Sequence, residues 1–232
     1  SSIRGQYSGG WPTGWSTAKG TTSRSMNGIE ANKTYYIWQN RTMRSPVGGA
    51  WAAAQTSAVN IDENCTWSII DKLKNATMTL YNVMIRQGAT IHMYPAAESG
   101  TALYKNIVAG TFNLEKDASL IISASKTTQD AKQHTLSAKV SGIGAIHMIS
   151  AADSQPYSQT LVQSITSDLS KFTGDILTYN GGTPVLLEIV NQSSLPADPP
   201  PQDISYIVVT NGATLQINNS WTSPTNRIWI LG

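Results

Sequence analysis

The acid-rich C-terminal third of the sequence contains the residues best suited to hydrolytic chemistry. Residues 150–232 hold six acids and two basic residues, and the acids include Asp153, Asp168, Asp175 and Glu188. Hydrolysis by carboxylates needs two acids that perturb each other, so that one stays protonated while the other is ionised. If turns of the chain stack, Asp153 and Asp175 would lie side by side, and they are our predicted catalytic pair. No Asp-Thr/Ser-Gly signature of aspartic peptidases occurs, and Asp168 and Asp175 are also typical turn-capping residues.

The three histidines do not show the spacing of a metal site. Two lie in matching Ile-His-Met triplets, at residues 91–93 and 146–148. Alternate side chains of a strand point to opposite faces, so His92 and His147 would face outward if Ile and Met face inward. One repeat lies between them, which would place them roughly 9–10 Å apart, too far to share a metal ion without other ligands. We therefore predict exposed, unpaired imidazoles, His134 in a polar loop with Asp130, and neither a metal nor a cofactor.

Aromatic and basic residues are concentrated near the N-terminus. Five of the seven tryptophans lie in residues 1–67, and residues 1–60 hold six basic residues and one acid, a net charge of +5. Large rings would cover the open end of a stack of strands, and exposed rings would instead form a sugar-binding platform. The positive charge favours anionic glycans. The residues that we predict for ligand binding are Trp11, Trp15, Trp38, Arg41 and Arg44.

A small unit that recurs five times indicates the elements that must position these residues. The copies begin at residues 88, 117, 144, 182 and 212, with gaps of 29, 27, 38 and 30 residues. Each copy leads from a Gly or Asp turn into a short apolar strand, as in Gly88–Met93. Repeats of roughly 30 residues that cannot bury their own apolar face are typical of a stacked solenoid. We predict an all-β parallel β-helix, with residues 1–75 as an irregular Trp-rich N-terminal arm and cap and residues 76–232 as the repeats.

Two segments are predicted to lie on the surface of this solenoid. The Pro-rich segment Asn191–Asp203 cannot donate a full ladder of hydrogen bonds, so we predict a loop that bulges from one repeat. The segment Ile230–Gly232 ends on an apolar strand, which would leave an exposed edge. That edge predicts either a polypeptide that continues or pairing with another molecule, self-association included.

The composition favours an exported protein. Charged residues make up 13% of the chain, about half the usual fraction, and Thr, Ser, Asn and Gln take their place. No apolar run is long enough to span a membrane, and no dense Lys/Arg cluster indicates nucleic-acid binding. The chain starts at Ser1 rather than Met, which indicates a mature secreted chain or a trimmed one.

One motif carries a resemblance to a known family. Residues 167–176, Ser-Asp-Leu-Ser-Lys-Phe-Thr-Gly-Asp-Ile, resemble a rung of the autotransporter-like β-strand repeat proteins of bacterial outer surfaces. Residues 211–219, Asn-Gly-Ala-Thr-Leu-Gln-Ile-Asn-Asn, resemble the turns of the same proteins. The resemblance covers roughly residues 105–232. It implies a right-handed parallel β-helix, export, and exposure at the cell surface or release from it.

Three functions are compatible with these patterns. The first is a secreted or surface-exposed bacterial solenoid that binds host or matrix glycoprotein, as an adhesin or passenger does, without catalysis. The second is a secreted hydrolase that acts on mucin-type glycoprotein through Asp153 and Asp175. The third is a structural stalk that belongs to a longer surface protein. The lack of a catalytic motif favours the first.

Overall fold

The protein is a parallel β-solenoid, as its repeats predict. The fold was obtained as a computed structural model, and the residues it describes are 2–4, 22–25, 29–46, 48–95, 104–126, 131–151 and 160–232. Within these residues there is no α-helix, and a short 3-10 turn spans Gln192–Ser194. The strands are β1 (Ser2–Arg4), β2 (Thr22–Ser25), β3 (Thr34–Ile37), β4 (Arg41–Arg44), β5 (Trp51–Ala52), β6 (Ala58–Ile61), β7 (Thr66–Asp71), β8 (Thr77–Ile85), β9 (Thr90–Pro95), β10 (Tyr104–Leu114), β11 (Ser119–Lys126), β12 (Ala131–Leu136), β13 (Lys139–Gly142), β14 (Ala145–Ser150), β15 (Leu161–Ile165), β16 (Lys171–Phe172), β17 (Asp175–Tyr179), β18 (Val185–Ile189), β19 (Ser205–Thr210), β20 (Thr214–Ile217) and β21 (Arg227–Leu231).

Parallel strands from successive turns form three ladders, which we call face 1, face 2 and face 3. Face 1 contains β5, the first halves of β8 and β10, β12, β15, β18 and β20. Face 2 contains β1, β3, β6, the second halves of β8 and β10, β13 and β16. Face 3 contains β2, β4, β7, β9, β11, β14, β17, β19 and β21. Each turn of the coil therefore adds one layer to the stack.

The core lies inside the coil, where apolar side chains of one turn stack on those of the next. Along face 3 one inward position is occupied on six successive turns by large apolar residues that are at most 1% exposed: Trp67, Ile91, Leu120, Ile146, Ile176 and Ile207. Strands alternate their side chains, so the residues between these positions point outward. The branched shapes of Ile and Leu fill a pleated surface well, which explains why such residues recur at the repeat period.

Glycine lets the chain turn the corners between faces. Gly110 lies where β10 bends from face 1 to face 2, with φ of +109°, and a Cβ there would lie 1.7 Å from the carbonyl oxygen of Leu80. Gly174 lies between faces 2 and 3, and a Cβ there would lie 1.8 Å from the carbonyl oxygen of Gly144. No other residue fits either position without a shift of the backbone.

The ladders run across the predicted division at residue 75. Strands β6 and β7 precede that position and pair in register with β8 and β9, which follow it. Strands β3 and β4 pair in turn with β6 and β7. Trp67, which we assigned to a cap, is 0% exposed and lies within the stack beneath Ile91. Trp11 and Trp15 lie outside the described residues. Strands β3 to β7 are thus part of the solenoid itself.

The Pro-rich segment is not a loop that bulges from the coil. The backbone N–H of Leu169 donates to Ser193, and that of Ala197 donates to the carbonyl of Phe172. Leu195 is 6% exposed and belongs to the hydrophobic core. The segment therefore covers the end of face 2 for one turn. Proline has no backbone N–H to donate. It is tolerated in this segment because the few backbone hydrogen bonds that form use the N–H groups of other residues.

Candidate functional site

A groove of about 420 Å³ runs over the outer side of face 2. Its floor contains one outward side chain from each of five successive turns, paired in register: Asn60, Met84, Asn113, Ser141 and Lys171. The alternation of the strands places these residues outside, because an adjacent residue of each is buried in the core: Val59, Val83, Phe112, Val140 and Phe172. Asn113 Nδ2 donates to Ser141 Oγ over 2.8 Å, so adjacent turns are joined along the floor.

A second row of polar side chains forms one wall of the groove. It consists of Asn82, Thr111, Lys139 and Asp168. Asn82 has a left-handed backbone with φ of +51°, which shifts the register where β8 bends between faces. The backbone N–H of Asn82 donates to Thr111 Oγ1 over 2.7 Å. Its Nδ2 donates to the carbonyl of Ser57 over 2.8 Å, which fixes the corner to the preceding turn.

Charge is confined to one end of the groove. Lys139 Nζ lies 3.8 Å from Asp168 Oδ2, and both side chains are largely exposed. Hydrogen bonds from Ser170 lower the pKa of Asp168, and the charges of Lys139 and Lys171 lower it further. Two ammonium groups and one carboxylate give this end a net charge of +1. The opposite end, near Asn60 and Asn82, is polar and uncharged.

This arrangement is suited to binding rather than to hydrolysis. Amide and hydroxyl groups both donate and accept hydrogen bonds, and ammonium groups bind anions. Asp168 is the one carboxylate among the residues that line the groove. A pair of carboxylates that holds two different protonation states, as an acid–base mechanism requires, is therefore not present among these lining residues.

Of the predicted ligand-binding residues, those that the structure describes do not form an exposed platform. Arg41 faces inward on β4, in register with Trp67, and is 1% exposed, so it cannot contact a ligand on the outer surface. Its position follows from alternation, because Arg41 and Met43 share the inner side of the strand. Trp38 packs against it, with the guanidinium carbon 5.7 Å from the ring centroid. Arg44 is exposed at the other end of the same strand.

The three predicted acids in the described part of the chain lie on different faces of the coil, with Asp175 on face 3. Asp153 is outside the described residues, so its pairing with Asp175 remains a prediction. Burial raises the pKa of Asp175, opposed by a hydrogen bond from the Tyr206 N–H and by the charge of Arg227. Asp168 belongs to face 2. Glu188 lies on face 1, 3.5 Å from Ser164 Oγ.

Alternation predicted the orientation of His92 and His147 correctly. Both point outward, and Ile121 on the intervening strand pairs with each of them. They are not exposed, contrary to our expectation. His92 Nε2 lies 2.8 Å from Ser123 Oγ, and burial together with the charge of His92 lowers the pKa of His147 to about 4. Ile121 and Leu177 flank His147 in the ladder, so its imidazole loses water on both sides.

A buried polar cluster inside the coil was not predicted from the sequence. His134 was predicted in a polar loop, but it lies in β12 and is 2% exposed, with Nε2 2.6 Å from Asp71 Oδ2. Asn106 Nδ2 donates to the same carboxylate oxygen over 2.7 Å. Gln163 Oε1 accepts the backbone N–H of His134 over 2.8 Å. One signal was present in the sequence. His134 lies two residues before Leu136, which faces the core, and alternate residues of a strand lie on the same side.

Burial alone would raise the pKa of Asp71. The hydrogen bond and charge of His134 and the hydrogen bonds from Leu73 and Asn106 outweigh that effect and hold the pKa below its ordinary value. The cluster joins β10, β12 and β15, which succeed one another on face 1, to β7 of face 3. It lies in the interior, so it stabilises the coil rather than forming a surface site.

No protein-family model, curated protein or solved structure matches the chain. The resemblance to autotransporter-like repeat proteins therefore remains a prediction from two sequence motifs. In the described ranges no helix is long and apolar enough to cross a membrane. Among the same residues, no three His, Cys, Asp or Glu side chains are arranged to hold a metal ion.

Proposed function

We propose that this protein is a non-catalytic carbohydrate-binding solenoid and that the groove on face 2 is its binding site. The observation that carries the proposal is the register of polar side chains on successive turns, from Asn60 to Lys171. Sugar hydroxyls donate and accept hydrogen bonds, as do amides and hydroxyls of the groove. Its volume of about 420 Å³ lies within the usual range for ligand sites.

The setting that we propose is the outside of a bacterial cell. The low content of charge, 13% of residues, and the abundance of Thr, Ser and Asn support an exported protein. The resemblance of residues 167–176 to surface repeat proteins supports the same setting. In that setting the glycan belongs to a host or matrix glycoprotein, and the protein acts as an adhesin or passenger domain.

The test is binding of the purified full chain to glycan and mucin arrays. We expect binding to a subset of glycans, with a loss of at least about tenfold in affinity for Asn113→Ala and for Lys171→Ala. Lys105→Ala is the matched control, because it removes the same charge from face 1 and should bind as the unaltered protein does. Absence of binding on both arrays would overturn the proposal, and so would full binding by both groove variants.

The same arrays also test the alternative function, a hydrolase that acts on mucin-type glycoprotein. Release of sugar or peptide from mucin by the unaltered protein, lost in the double variant Asp153→Asn, Asp175→Asn, would support the hydrolase in place of the binding module.

A further inference from the structure

We infer that the groove on face 2 takes a linear, acidic oligosaccharide that lies extended along the solenoid axis. Successive sugars lie on successive turns, and a carboxylate group lies between Lys139 and Lys171. The inference rests on the proposed function and adds the shape, orientation and charge of the ligand.

The spacing of the floor residues supports a linear ligand. Neighbouring parallel strands lie roughly 4.8 Å apart, which is close to the length of one pyranose unit in an extended chain. Asn60 and Lys171 are separated by four such steps in the register, or roughly 19 Å along the axis. A linear glycan laid along the groove would present each sugar to the next turn in a similar way.

Hydrogen-bonding groups along the floor also suit an extended chain. The uncharged half contains Asn60, Asn82, Thr111 and Asn113, which bind hydroxyl groups without a charge requirement. Met84 lies between Asn60 and Asn113 in the register and supplies one apolar contact for the carbon face of a sugar ring. This half therefore accepts neutral sugar positions.

The other half of the groove favours an anion. The negative charge of Asp168 is partly offset by its partners, because its Oδ1 accepts the N–H of Ser170 over 2.9 Å and its Oδ2 lies 3.8 Å from Lys139 Nζ. Among the described residues, Lys171 makes no ion pair. A sugar carboxylate placed here gains two ammonium partners against one carboxylate. This excess of positive charge distinguishes an acidic glycan from a neutral one of the same shape.

The charge is tested by calorimetric titration of the full chain with hexasaccharides of galacturonate, mannuronate and guluronate, each beside its carboxyl-reduced counterpart. We expect at least one uronate to bind about tenfold more tightly than its reduced form, and Lys171→Ala to remove that preference. Equal affinity for the acid and the reduced form would overturn the charge assignment. Array binding without binding to any of the uronates would overturn it too and leave the proposed function standing.

The orientation is tested by ligand length and by Asn60→Ala. Affinity should rise from the disaccharide to about the pentasaccharide, where the five floor residues are covered, and then stay constant. Asn60→Ala should weaken binding of the hexasaccharide. It should leave the affinity for the trisaccharide unchanged, because the trisaccharide is held at the charged end. Lys105→Ala should change neither, and circular dichroism confirms that each variant is folded. Affinity independent of length, or equal effects of Asn60→Ala on both ligands, would overturn the axial arrangement.

Discussion

His147 shows how the outer side of face 3 affects a titrating side chain. It pairs in register with Ile121 on one side and Leu177 on the other. Burial and the charge of His92 lower its pKa from 6.5 to about 4. Between these two values the unfolded chain binds a proton that the folded chain excludes. The contribution of His147 to the free energy of unfolding is therefore fully present above about pH 6.5 and is lost as the pH falls toward 4.

We predict that His147→Leu reduces the loss of stability in acid. Leucine matches the apolar neighbours in the ladder and does not titrate. Between pH 8 and pH 5 the unaltered protein should lose about 2 kcal/mol more than the variant, because a pKa shift of one unit corresponds to about 1.4 kcal/mol. Urea unfolding at both pH values measures the difference. Equal losses in the two proteins would contradict the burial of this imidazole.

Asp71 and His134 behave as a unit, because a carboxylate inside the coil is tolerated only with its partners. We predict that His134→Ala lowers the free energy of unfolding at pH 7 by about 3–5 kcal/mol, since it leaves a buried charge uncompensated. The double variant Asp71→Ala, His134→Ala should cost less than the sum of the single variants. Urea unfolding of all four proteins measures the coupling, and strictly additive costs would show that the pair is not coupled.

In the unaltered protein the carboxylate also makes stability sensitive to acid. The folded pKa of Asp71 lies below its ordinary value of 3.8, so its contribution is present above that value and is lost as the pH falls through the lower folded pKa. His134→Ala removes the largest of the contributions that favour the ionised form.

At the scale of single elements, the Pro-rich segment shows that a ladder can continue without a regular strand. Leu195 lies in the core although prolines follow it closely in the sequence. Asn226 Nδ2 donates to the carbonyls of Pro199 and Pro200, each over 3.0 Å. Arg227 Nη2 donates to the carbonyl of Ala197 over 2.8 Å. Side chains of the following turn therefore hold the segment against the coil.

We predict that Leu195→Ala costs about 2–5 kcal/mol of stability, the usual cost of removing a buried leucine side chain. Ile204→Ala is the matched control, because Ile204 lies just beyond the same segment and is 58% exposed. Thermal unfolding followed by circular dichroism compares the two variants. If the segment were an inert loop, both variants would unfold at the temperature of the unaltered protein.

Strand spacing and alternation were enough to predict the solenoid and the direction of His92 and His147. They were not enough for the groove, because its floor residues lie 24–30 positions apart and no local motif connects Asn60 with Lys171. Alternation also assigns a side of the strand without saying what packs against it. For that reason the burial of His147 was missed. Arg41 was predicted to bind ligand because of its charge, although it shares the inner side of β4 with Met43.

At the scale of the whole molecule, the described strands form one continuous stack. Strand β7 pairs with β9 over six residues, and β6 pairs with β8, so the hydrogen bonds cross residue 75 without interruption. Trp67 packs between turns rather than over an open end. In a solenoid each turn is stabilised by its neighbours, because one turn cannot bury its own apolar surface. Residues 29–75 should therefore unfold together with the rest.

Tryptophan fluorescence provides a test of this continuity, since five of the seven tryptophans lie in residues 1–67. In the double variant Trp221→Phe, Trp229→Phe, fluorescence reports on that part of the chain alone, whereas far-ultraviolet circular dichroism reports on all strands. We predict that the two signals give the same urea midpoint, as a single cooperative unit requires. The unsubstituted chain serves as the control for stability. A fluorescence midpoint at lower urea than the dichroism midpoint would show that residues before 75 form a separate unit, because weak coupling between the two parts would let the first unfold while the second remained folded.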